Sequence, residues 1–167
     1  MRKFIMKMVY IGEIRYMKRN GKGIMYYNIG DKYDGNWKND LKEGMGVYTW
    51  NNGDKYDGEW KKDLKEGNGT YTWKNGDIFF GEWKNDVRKG WGIFIYKNGD
   101  MFAGYWRNGL KEDIGCFYYK NISAYYFGFW KNDLSVLQID CKNETYTNLC
   151  DTCIDCFNKF INPLYKL

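Results

Sequence analysis

Cys150, Cys153 and Cys156 stand three residues apart near the C-terminal end, with Cys141 as a fourth thiol upstream. Thiolates at that spacing could hold an iron–sulfur cluster or a zinc ion with four sulfur ligands. On a helix, however, steps of three place the thiols broadly on one side, and Cys150 and Cys153 fall within an apolar stripe. Cysteine there acts as a small buried hydrophobe, so neither a metal nor a cofactor is expected. The chain contains no histidine, which removes Ser-His-Asp and Cys-His nucleophiles and imidazole acid–base chemistry. Asp54, Asp77 and Asp100 recur once per period beside a glycine; carboxylates in that setting form turns rather than a catalytic pair. Gly-x-Gly pairs also recur, but inside strand patterns and not between a strand and a helix N-terminus, so they do not cradle phosphate. No enzyme is expected.

The remaining chemistry is binding. A basic residue follows each unit's tryptophan, at Lys38, Lys61, Lys84, Arg107 and Lys131. Such a ladder is either a solvated rim or a strip for anionic lipid headgroups; Asp40, Asp63 and Asp86 beside it weaken the second reading. The net charge of +5 comes from interspersed Lys, Arg, Asp and Glu, so nucleic acid is not an expected partner. Lys7 and Glu13 interrupt the apolar start, leaving no signal-peptide core. No 18-residue apolar run occurs. The cysteines do not spread as a disulfide framework would, and a cytoplasmic location is expected.

These residues sit on a strict period. Aromatic-x-Gly-x-Trp appears at Tyr33–Trp37, Tyr56–Trp60, Phe79–Trp83, Phe102–Trp106 and Tyr126–Trp130, preceded by a degenerate copy at Tyr10–Ile14. Gly-x-Gly follows at Gly21/Gly23, Gly44/Gly46, Gly67/Gly69 and Gly90/Gly92, decaying to Asp113/Gly115. Two aromatics come next (Tyr48/Trp50, Tyr71/Trp73, Phe94/Tyr96, Phe117/Tyr119), then Asn-Gly-Asp at 52–54, 75–77 and 98–100. Each unit therefore reads as strand, polar loop of about six residues, strand, and tight Asn-Gly turn. The fold class is all-β: one elongated, twisted antiparallel meander. Side chains alternate along a strand, so Tyr33, Gly35 and Trp37 share a face with Gly44, Gly46, Tyr48 and Trp50. Pairing Tyr33 with Tyr48 and Trp37 with Gly44 keeps them together, and glycine leaves a gap into which a ring lies flat.

The Tyr-x-Gly-x-Trp, Gly-x-Gly and Asn-Gly-Asp elements at a 23-residue period resemble the MORN (membrane occupation and recognition nexus) repeat, over about residues 10–134. About six units start near residues 10, 33, 56, 79, 102 and 126 within an array spanning residues 1–134. The first lacks the tryptophan; the fifth replaces glycine with Asp113 and the turn with Asn121-Ile-Ser123. The resemblance implies a scaffold at membrane–cytoskeleton junctions that sometimes dimerises. MORN arrays also regulate lipid kinases and SET-type lysine methyltransferases, but the residues after the repeats are too few for either catalytic domain.

The opposite face is mostly polar in units two and three (Asp34, Asn36, Asp57, Glu59, Asn68, Thr70, Thr72). From unit four it becomes apolar, through Phe80, Trp91, Ile93, Ile95, Ala103, Tyr105, Ile114, Cys116, Tyr118, Phe127 and Phe129. Such a patch needs a cover. Residues 135–167 are the expected capping segment: Leu149, Cys150, Cys153, Ile154, Phe157, Phe160, Ile161 and Leu164 recur at helical spacing, predicting an amphipathic helix over about 148–162 that folds back on the last units. The leading functional expectation is a protein partner, or a second copy of the chain, held as a helix or extended segment in an aromatic groove of Tyr48, Trp50, Trp60, Tyr71, Trp73, Trp83, Phe94 and Tyr96. The alternative is a peripheral anionic phospholipid surface met by Lys38, Lys61, Lys84, Arg107 and Lys131.

Overall fold

The computed structural model describes residues 8–138. The expected C-terminal helix and the thiols of Cys141, Cys150, Cys153 and Cys156 lie outside the described residues. Twelve strands follow in one antiparallel meander in chain order. They are β1 (Val9–Arg15), β2 (Lys18–Tyr26), β3 (Lys32–Lys38), β4 (Leu41–Thr49), β5 (Lys55–Lys61), β6 (Leu64–Thr72), β7 (Ile78–Lys84), β8 (Val87–Ile95), β9 (Met101–Arg107), β10 (Leu110–Tyr119), β11 (Ala124–Lys131) and β12 (Leu134–Gln138). A single 3-10 turn, Lys120–Ile122, replaces the Asn-Gly-Asp turn of the fifth unit. The described residues divide into two compact units, with the division between Val87 and Arg88.

In the first unit one face carries the core. Strand β5 alternates exposed and buried residues at every step, with Tyr56, Gly58 and Trp60 inside. Tyr33 and Tyr56 are fully buried and Trp37 and Trp60 nearly so. The predicted ring-and-gap packing is the observed one. The Tyr33 ring lies across Gly35 and Gly46, filling the volume a side chain at either position would need, and Tyr56 does the same over Gly58 and Gly69. Each phenol then donates to the carbonyl three residues on, Tyr33 to Asn36 and Tyr56 to Glu59, both at 3.0 Å. The opposite face is polar, with ion pairs Lys32–Asp34 and Lys55–Asp57.

Two features of the hairpins differ from the sequence reading. The connection expected as a six-residue polar loop is a two-residue turn: β3 runs to Lys38 and β4 begins at Leu41. Asn39 and Asp40 both have positive φ, 50° and 70°, as a tight turn that follows the strand twist requires. The Asn-Gly-Asp reversal is the wider one, closed by Trp50 N–H to the Asp54 carbonyl and Gly53 N–H to the Trp50 carbonyl, each at 3.0 Å. The register also departs. Tyr33 pairs with Tyr48 as expected, but Trp37 pairs with Lys42, not Gly44, and Gly44 pairs with Trp60 of the next hairpin. The cause is a bulge between Gly35 and Trp37, where β4 spends extra residues and Gly44 takes φ of 72°.

Candidate functional site

Within the first unit the ring face has two layers. The lower holds the buried Tyr33, Trp37, Tyr56 and Trp60, whose indoles are pinned: Trp37 Nε1 donates to Gly23 O at 3.0 Å and Trp60 Nε1 to Gly46 O at 2.9 Å. Trp83, buried like Trp60, donates to Gly69 O at 3.2 Å. Above lies a chain of touching rings: Tyr48 to Trp50 at 4.6 Å between centroids, Trp50 to Tyr71 at 5.2 Å, and Tyr71 to Trp73 at 4.5 Å. Trp50, Tyr71 and Trp73 are half-buried. Of the eight sequence-predicted groove residues, Trp60, Trp83 and Tyr48 are thus buried, while Trp50, Tyr71 and Trp73 form the accessible layer. Phe94 and Tyr96 form a like pair in the second unit, 4.6 Å apart and half-buried.

The bulge brings a cation onto this face that sequence reasoning missed. Lys42 Nζ sits 4.2 Å from the Trp60 ring and 4.7 Å from Tyr48. Arg19 lies 4.2 Å over Trp37, and Lys65 5.2 Å over Trp83. In the second unit Arg88 lies 4.4 Å over Trp106 and Lys111 5.1 Å over Trp130. Burial draws the Lys42 ammonium below its usual range, opposed by the Asp63 and Asp86 carboxylates. Arg19, Lys42, Lys65, Arg88 and Lys111 stand at the 23-residue period. That recurrence was the available signal; placing these residues in a loop hid which face they meet.

The turn aspartates staple neighbouring hairpins. Asp40 accepts from the Arg19 N–H at 2.9 Å and its side chain pairs with Arg19 at 3.1 Å. Asp63 accepts from Lys42 N–H at 2.8 Å, and Asp133 from Lys111 N–H at 2.8 Å. The aspartates of the wider turns work likewise. Asp31, buried, accepts from the Tyr48 hydroxyl at 2.6 Å and Asn51 N–H at 2.8 Å; Asp54 accepts from Tyr71 and from Lys74 N–H. The Lys74 amide holds the Asp54 carboxyl below the usual carboxylate range. Burial first, and then the carboxylate each touches, push the phenols of Tyr48 and Tyr71 well up.

This two-hairpin chemistry, repeated with its ring, glycine pair and stapling aspartate, is matched by the MORN repeat family over residues 10–32, 33–55, 56–78, 79–101 and 102–121. The chain belongs to the MORN repeat family. A comparison with curated proteins returns no match. The meander continues past the last matched MORN repeat through β11 and β12, where Trp130 keeps its place against Phe102 at 5.1 Å. Outside the ring face, the predicted lipid-ladder residues of this MORN array, Lys38, Lys61, Lys84, Arg107 and Lys131, are all exposed. Two of them are also paired at the surface, Lys84 with Glu66 at 2.5 Å and Arg107 with Asp113 at 2.8 Å. Among the described residues no cluster could hold a metal ion, and no helix is long and apolar enough to cross a membrane.

Proposed function

We propose that this MORN array is a non-catalytic scaffold that takes a helix or extended segment of a protein partner on its ring face, at a membrane–cytoskeleton junction within the cytoplasm. The observation carrying the reading is the accessible layer of Trp50, Tyr71 and Trp73 lying over a pinned floor, with Lys42 and Lys65 set against the rings. Rings held in this way offer large contact area at small cost in side-chain entropy. Cations beside them add orientation by meeting carboxylates or carbonyls of the bound segment. The hollow bounded by Arg88, Phe94, Tyr96, Trp106, Lys111 and Asp133 repeats the same chemistry in the second unit.

Affinity capture with the wild-type chain and with Tyr71→Ala/Trp73→Ala tests this, after circular dichroism has established that the variant folds. The expected result is a bound partner retained by wild type and lost by the variant. Identical capture by both overturns the reading. The lipid alternative is less favoured, because two of its five cations already face a carboxylate partner. Co-sedimentation with anionic vesicles, weakening steeply with added salt, would instead support it.

A further inference from the structure

The faces of this sheet are not treated alike along the chain. In the first unit β5 buries only its ring face. Strand β9 breaks that alternation: Met101, Phe102, Ala103 and Gly104 are all buried. Met101 and Ala103 point away from the rings of Phe102 and Trp106, yet each is 2% exposed, and Cys116, paired with Ala103, is 0% exposed. Ile93 and Phe127 on the flanking strands complete the cluster. The repeat supplies an internal control. One and two periods before Ala103 stand Phe80, which is 41% exposed, and Asp57, also exposed. Flanking strands of a single layer leave those positions open, so they do not by themselves bury Ala103.

We propose that the second face of β8–β11 is a docking surface for this chain's own C-terminal segment, residues 149–164. The buried residues form a band across the strands, set toward the wider-turn end where Met101 opens β9, while Tyr105, Tyr125 and Phe129 around it remain more than a third exposed. A rod laid across the strands leaves that footprint; a second sheet would cover the borders as well. Reach allows it. β12 ends at Gln138, two strands from β10, about 10 Å away, and the residues from 139 to 148 extend up to about 33 Å. Chemistry fits too. Phe157 follows Ile154 by three residues, and Phe160 and Ile161 follow Phe157 by three and four; as helix up to Pro163, residues 149–162 would be about 21 Å long, enough to cross four strands, about 15 Å. The two faces then have separate occupants: the rings stay available to a partner while the opposite face is closed within the chain.

Two measurements on the full chain test this. With methyl-labelled Met and Ala, nuclear Overhauser contacts should join the Met101 and Ala103 methyls to ring protons of Phe157 or Phe160, and be absent from an intermolecular-filtered sample. No such contacts, or contacts only between molecules, which would assign the cover to a second copy, overturn the proposal. Alkylation of Cys116, read by peptide mass, should be slow in wild type and at least about tenfold faster in Ile154→Asp/Phe157→Asp, with β3–β6 amides still protected from exchange. An unchanged rate overturns it; where β3–β6 also lose protection, the methyl contacts in the wild type decide.

Discussion

Tyr33 fills the space above Gly35 and Gly46, and its hydroxyl ends on the Asn36 carbonyl. A methyl at Gly46 would enter the volume of that ring, so Gly46→Ala should destabilise the fold by about 1–3 kcal/mol in a denaturant titration, as overpacking does. Gly44 serves a different need, a positive φ at the bulge, and the fifth unit fills that position with Asp113 at φ of 55°. Asp113→Gly should therefore raise stability by about 0.5–1 kcal/mol, a rise of roughly 2–4 °C in melting temperature per kcal/mol. Asp31 is buried and accepts two hydrogen bonds. Asp31→Ala strands the Tyr48 hydroxyl and the Asn51 amide and should cost about 2–3 kcal/mol by the same titration.

At the scale of the hairpin, the ring-bearing faces were legible in the sequence because alternation and glycine spacing both point to them. Tyr33 opposite Tyr48 follows from counting alone. The bulge does not, since Lys-Glu-Gly after Leu41 has the composition of a loop and only φ at Gly44 reveals a continued strand. The misplacement carried Lys42 and its equivalents off the ring face, and with them half of the candidate site. The two turns were exchanged for a related reason: Asn-Asp at 39–40 supplies two left-handed residues without glycine, which composition does not advertise. Because Lys42, itself half-buried, packs on the rings of Trp60 and Tyr48, Lys42→Met should keep the melting temperature within a few degrees while weakening partner capture at low salt more than at high salt.

For the molecule as a whole, four phenols carry a shared pH dependence. Burial raises the pKa of Tyr33 and Tyr56, and burial with a carboxylate contact raises Tyr48 and Tyr71. A raised native value favours the neutral phenol in the fold, so this stability is complete below the unfolded value of about 10 and is lost as pH climbs above it. Alkaline titration followed by phenolate absorbance should show these tyrosines ionising together with unfolding. The carboxyl of Asp54 has the opposite sign: depressed in the native state, its contribution holds above the unfolded value of about 4 and fades as pH falls through the lower native one.

In the proposed scaffold the ring layer, and not its reverse, meets the partner. Oxidative footprinting of the captured complex against the lone chain addresses it directly. Trp50 and Trp73 should lose reactivity on binding while Lys38 and Lys61, exposed on the other side, remain accessible to acylation. Protection of those lysines with Trp50 and Trp73 unchanged would contradict it.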